Sequence, residues 1–185
     1  MSLLRKKYYR LLLTIIYSCS ILLLTSQNSA NKEYQIKAVF LFNFSQFVEW
    51  PDSAFTQKTS PIIIGILGSD PFGSFLDGTL DHEIVNGHPF IVKRFHKISE
   101  IKDCHILYIQ QEKNLVETLS QLKGKSILTV SDIPDFIQKG GIIKFVRINN
   151  KIQFQINPKA AEEAGLTLSS KLLRLAEIII PHKTP

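Results

Sequence analysis

Cysteine is nearly absent from this sequence. Of the two present, Cys19 falls in an apolar leader and Cys104 stands alone in the rest of the chain. A lone cysteine closes no internal disulfide, so stability has to come from packing. Cys104 lies beside the apolar run Ile106–Ile109 and reads as a buried thiol acting as a small hydrophobe. Catalytic signatures are missing as well. There is no G-x-S-x-G and no H-E-x-x-H. Gly124-Lys125-Ser126 imitates the end of a P-loop, but the motif's first glycine would fall on Leu119. Gly65, Gly68 and Gly73 lack the spacing of a dinucleotide fingerprint. The five histidines are scattered, and the nearest pair, His82 and His88, spans a turn, so no metal is expected. Asp81, Glu83, Asp132 and Asp135 offer carboxylates without a recognisable nucleophile or base. Neither an enzyme nor a cofactor is expected.

Negative charge is missing from the first thirty residues, and this absence is the most informative. Arg5, Lys6, Lys7 and Arg10 precede the apolar run Leu11–Leu24, and a small-polar patch, Thr25–Ala30, follows. That is the three-part layout of an export signal. The run is shorter than the roughly 20 apolar residues of a spanning helix. A cleaved signal over residues 1–30 is the expectation, with an uncleaved anchor as the alternative. Cys19 follows Ile16-Tyr17-Ser18, but the bulky Tyr17 argues against a lipoprotein box. An exported chain meets little ATP, GTP or NAD, which argues against nucleotide-driven chemistry.

The net charge of +6 then shrinks. Four of the 22 basic residues and none of the 16 acidic ones lie in the leader, leaving 18 against 16. No basic block remains to suit a nucleic acid. Residues 31–185 are enough for one domain with a real core.

Lys32–Glu49 reads as a helix stopped at Trp50-Pro51. Tyr34, Ala38, Leu41, Phe42 and Val48 mark one apolar face, and Ile36, Phe40, Phe44 and Phe47 a second. Pro61–Leu67 is a continuous apolar run, as in a parallel strand buried on both faces. Asp70 is placed to cap a short helix with Pro71 in its first turn, ending near Leu80. Asn86-Gly87 makes a turn before a strand over His88–Phe95. Further strands are expected over Ile106–Ile109 and Ser126–Val130, with a helix over Lys113–Leu122 between them. Asp132 is placed to cap a helix over Ile133–Gln138, and Gly140-Gly141 to turn the chain. Ile142–Ile148 and Lys151–Ile156 flank Asn149-Asn150 as a hairpin. Pro158 opens a helix that Gly165 interrupts, and Leu168, Leu172, Leu175, Ala176 and Ile179 continue a helical stripe.

Alternating strands and helices imply an α/β layered sandwich in a single domain. Its sheet should be mainly parallel, with an antiparallel edge hairpin and helices on both faces. Ligands collect at the carboxyl ends of such strands. Ser69, Asp70, Ser131, Asp132, Gly140 and Gly141 are therefore the candidate ligand-binding residues. Phe40, Phe44, Phe47 and Trp50 on the first helix, with Leu172 and Leu175 on the last, are the candidate partner-binding residues. Both helices carry more apolar residues than one core face needs.

Several segments together resemble a known family. They are K-A-V-F-L-F-N-F-S-Q-F-V-E-W-P (Lys37–Pro51), P-I-I-I-G-I-L-G-S-D-P-F (Pro61–Phe72) and C-H-I-L-Y-I (Cys104–Ile109). I-L-T-V-S-D (Ile127–Asp132), G-G-I-I-K-F (Gly140–Phe145) and the stretch Ile156–Ala176 complete the set. In order and spacing the chain is similar to the YfiR family of periplasmic proteins. The resemblance implies a periplasmic repressor that binds the sensor domain of an inner-membrane diguanylate cyclase and holds it inactive. It also implies an outer-membrane lipoprotein that sequesters the repressor and releases cyclic-di-GMP synthesis and biofilm growth. A kinase-type sensor as partner and a homodimer are further expectations. The redox-responsive disulfides of the family's best-known member have no counterpart here, because Cys104 is alone. The competing expectation is a periplasmic module that binds a small molecule.

Overall fold

The computed structural model describes residues 31–110 and 114–178. The chain clusters into two units, residues 1–34 and 35–185. Of the first unit only residues 31–34 are described, and they are helical. The expected signal or anchor over residues 1–30 lies outside the described residues.

In the second unit, residues 35–47 are helical (α1). The helix stops two residues before its expected end. Val48–Glu49 leave it as strand β1, which pairs antiparallel with a later segment, Thr167–Leu168. Pro51 forces the chain before it to extend. The Phe47 carbonyl at the helix end accepts the Ser169 N–H at 2.9 Å. Strand β2 (Ile62–Leu67) is buried at all six positions. Its Gly65 is required, because a Cβ there would sit 2.8 Å from both Cys104 Sγ and the Phe95 ring. Helix α2 (Ser74–Leu80) begins later than expected. Asp70 Oδ1 instead accepts the N–H groups of Phe72 and Gly73 at 2.8 and 3.3 Å, so it caps the turn that precedes the helix.

Strand β3 (Ile84–Val85) turns through Asn86-Gly87, both at positive φ, into β4 (His88–Phe95). Strand β5 (Ile106–Ile109), helix α3 (Leu115–Leu122) and strand β6 (Leu128–Ser131) follow. The helix expected over Ile133–Gln138 is absent, and turns occupy residues 134–140. Asp135 has φ 59°, which no right-handed helix accepts. Strands β7 (Ile143–Ile148) and β8 (Lys151–Ile156) form the expected hairpin, with Asn149 and Asn150 at positive φ. Asn157 caps α4 (Pro158–Glu163) through Ala160 N–H, and Pro158 opens the helix. The expected C-terminal helical stripe is broken up. Leu168 belongs to strand β9 (Thr167–Leu168) and α5 spans only Ser170–Leu175. Ala176 is extended, and β10 (Glu177–Ile178) pairs with β8. Strand pairing at both ends overrides the helical period there. Ile179 lies outside the described residues.

The main sheet has eight strands in the order β10-β8-β7-β6-β5-β2-β4-β3. Strands β4, β2, β5, β6 and β7 run parallel, and β8 and β3 pair antiparallel with their neighbours. The register sends Ile64, Ile66, Tyr108, Val130, Phe145 and Phe154 to one face. Gly65, Leu107, Ile109 and Thr129 point to the other. Helices α1 and α2 cover the first face, through rings on Phe145 and a clamp on Arg94. Helix α3 packs on the second with Leu67, Leu107, Ile109 and Phe136. The fold is the expected α/β sandwich with helices on both faces.

Candidate functional site

Helix α1 carries the aromatic run, and the sheet decides which of its rings remain available. Phe44 is buried, stacked on Phe145 with centroids 5.9 Å apart and edge-on to Phe154 at 5.2 Å. Phe40 is half-buried against the same two rings and against Phe44. Phe42 packs edge-on to Phe90 of β4. Such ring pairs add about 0.5–1.5 kcal/mol each beyond area burial, so Phe44 acts as core and Phe40 packs half-buried against it. Phe47 is half-buried. Trp50 is half-buried too, and its indole N–H donates to the His105 carbonyl at 3.3 Å. Leu172 is buried, whereas Leu175 is 70% exposed. The apolar surface that α1 leaves open is Ile36 and Val39, one turn apart and 41% and 44% exposed. Sequence reasoning missed Val39, which stands between Ala38, fully buried, and Phe40, packed on Phe145 and Phe154.

At the carboxyl ends of the strands, protein groups occupy Asp70, Ser131 and Asp132, whereas Gly140 and Gly141 precede β7 and lie away from those ends, so the structure does not bring the expected ligand-binding residues together. Asp70 Oδ2 accepts Arg94 Nε at 2.7 Å, and Asp77 takes the outer guanidinium nitrogens of the same arginine. Hydrogen bonds from Arg94 hold the Asp77 carboxyl below the usual carboxylate range. The two carboxylates raise the Arg94 guanidinium in turn. This clamp ties β4 to the start of α2. The Ser131 hydroxyl donates to the Ile109 carbonyl at 2.6 Å and accepts Ile133 N–H at 3.1 Å. Asp132 accepts the ammonium of Lys37 at 2.7 Å. Lys37 is a buried lysine on α1, and its ammonium also lies 5.8 Å from the Phe145 ring centroid. Gly140 turns the chain at φ 99°. Gly141 leaves the space that the Phe136 ring fills. Ser69 precedes Asp70 of the Arg94 clamp and is exposed.

The opposite, amino end of the sheet holds an aromatic stack that the sequence did not announce. The Phe55 ring lies between His88 and His105, with centroids 4.1 and 4.6 Å away and nearly parallel planes. The Trp50 ring meets His105 edge-on at 6.0 Å. His105 Nδ1 accepts Ile63 N–H at 3.0 Å and Nε2 donates to the Ala54 carbonyl at 3.1 Å. Both bonds require the neutral ring, and burial pushes its pKa below the ordinary 6.5. A cavity of 810 Å³ opens beside this stack, lined by Trp50, Phe55, His88 and Val85 among others.

The sign of the pH effect follows. The folded chain binds fewer protons at His105 than the unfolded chain does. Its contribution is complete above the unfolded pKa and is lost as pH falls toward the folded one. The urea midpoint should therefore drop between about pH 7 and pH 5. In His105→Gln that drop should shrink. An unchanged pH slope in the variant would place the dependence on another group.

Cys104 is buried, its thiol donating to the Ile106 carbonyl at 3.1 Å, and burial pushes its pKa up to about 12. The thiolate needed for disulfide exchange is scarce there. His82 pairs with Asp81 at 3.4 Å while His88 stacks on Phe55, so the two histidines serve different partners. Among the described residues, no group of three or more His, Cys, Asp or Glu side chains could hold a metal ion.

In comparison with known proteins, the DUF4154 family model, described as YfiR/HmsC-like, matches residues 34–177. No curated protein matches the chain.

Proposed function

We propose a function from one premise: the chain belongs to the YfiR/HmsC-like family. On that premise the protein is a non-enzymatic periplasmic regulator that works by contact. Residues 1–30 export it, and residues 31–185 form the working domain. It binds the periplasmic sensor domain of an inner-membrane signalling protein, a diguanylate cyclase before a kinase. Binding holds the cyclase inactive and so lowers cyclic-di-GMP output and biofilm formation. An outer-membrane lipoprotein relieves the repression by sequestering the regulator.

The single observation that carries this reading is the family match over residues 34–177. Two features agree with it. Ile36 and Val39 on α1, and Leu175 and Ile178 near the C-terminal edge, leave large apolar side chains in solvent. Among the described residues no helix is long and apolar enough to cross a membrane, and a regulator that acts through a separate membrane protein requires none.

Crosslinking and pull-down of the tagged, exported protein from its native membrane tests the reading. The expected catch is a membrane protein with a cyclase or kinase output domain. Ile36→Asp with Val39→Asp should lose that catch and raise cyclic-di-GMP while the fold is retained. Recovery of no membrane protein, under conditions that capture a control complex, would remove the reading's main support. Recovery of a second copy alone would point to a homodimer.

A further inference from the structure

The second face of the sheet carries a cavity that, of the expected ligand-binding residues, only Gly140 lines. It has a volume of 260 Å³ and lies between α3 and α4. Leu119, Ile127 and Ile142 give it an apolar wall, and Lys123, Lys125 and Lys139 surround it. Glu163 is the one acidic side chain in the lining, so the charge around the cavity is positive. No acidic side chain among the described residues pairs with any of the three lysines. At the floor, the buried Thr129 hydroxyl accepts Ile142 N–H at 3.1 Å. Its own proton has no acceptor among the described residues and remains available to a ligand.

We propose that this cavity binds a small organic anion with an apolar body. The anionic group sits among Lys123, Lys125 and Lys139, and the body lies on Leu119, Ile127 and Ile142. Ammonium groups supply charge-assisted hydrogen bonds, and the apolar wall supplies burial. Size decides between a small molecule and a partner segment. Small-ligand sites begin at roughly 300 Å³, close to this volume. A helix is about 10–12 Å across with its side chains and does not fit. The lysines arrive from two separate turns, after α3 and after β6, each bent by a glycine at positive φ, Gly124 and Gly140. The site stands independently of the partner proposed above.

Amide chemical-shift mapping on the purified exported protein tests it, with octanoate, benzoate and phenyl phosphate as probes. At least one should give saturable shifts confined to the cavity lining, among them Leu119, Lys123, Lys125, Ile127, Lys139 and Ile142. The triple variant Lys123→Gln, Lys125→Gln, Lys139→Gln should weaken that binding about tenfold or more. These side chains are exposed, so the variant should fold, and its unperturbed spectrum would verify this. Octanamide, which has no charge, should bind correspondingly more weakly than octanoate. Absence of a saturable shift with all three anions overturns the proposal. So does equal binding by the variant or by octanamide. A polyglutamate peptide that binds while the small anions do not would make the lysines a protein-docking surface and likewise overturn it.

Discussion

Gly141→Ala should cost about 3 kcal/mol of stability or more, at or beyond the upper end of overpacking. The Cβ it adds would overlap three ring carbons of Phe136. Phe136 is itself fully buried, in the core between α3 and the sheet, so its ring has nowhere to go. Backbone strain plays no part, because Gly141 is not among the positive-φ glycines. The neighbouring Gly140 makes the comparison sharp. It has φ 99° but open space around its Cβ position, so Gly140→Ala should cost only the left-handed penalty of about 1–2 kcal/mol. Urea unfolding of the two variants separates sterics from strain. Phe136→Leu placed on Gly141→Ala should recover part of the loss, as contacting residues couple. If Gly141→Ala unfolds at the parent's midpoint, the packing at this turn is not as described.

Removing Asp132 should be far more damaging than removing its partner. Lys37 is 1% exposed, whereas the Asp132 side chain keeps about a quarter of its surface in solvent, at 28%. Asp132→Ala leaves an ammonium buried without its carboxylate, a change that typically costs about 3–5 kcal/mol. Lys37→Met keeps the volume and leaves a carboxylate that water can still reach. Its cost should stay below about 1.5 kcal/mol. Denaturant midpoints for both single variants and the double variant measure this asymmetry. Equal losses would mean that the pair acts as a surface ion pair. Restoration of stability by Lys37→Met in the Asp132→Ala background would identify the buried Lys37 charge as the cause.

How much of this was legible beforehand depended on how local the cause was. His88–Phe95 and Ile106–Ile109 appear as strands with the expected bounds. For Ile106–Ile109 the reason is burial on both faces, which leaves a continuous apolar run. Asn149-Asn150 announced its hairpin because positive φ suits asparagine at low cost. The helix expected after Asp132 failed on one residue, Asp135, whose left-handed backbone no apolar pattern reveals. The C-terminal helical stripe failed because Thr167–Leu168 and Glu177–Ile178 find strand partners far away in sequence. The residues expected to bind a partner divided in the same way. Phe44 became core and Phe40 is half-buried because Phe145 and Phe154, about a hundred positions later, meet them. Asp132 was readable as a cap but not as the counterion of Lys37, since the two are 95 positions apart. The lysine-ringed cavity is assembled from two turns and two helices, and no single window of sequence contains it.

The distance between α1 and its aromatic partners also sets the order in which the molecule can be made. A chain that emerges amino end first presents Phe40 and Phe44 long before Phe145 and Phe154 exist to receive them. Until β8 has appeared, that helix has only its contact with β4, through Phe42 and Phe90, to hold it. Its last carbonyl waits longer still, for Ser169. Contacts so remote in sequence slow folding and lengthen the exposure of sticky surface. The first helix is therefore completed only when the last strands have been made.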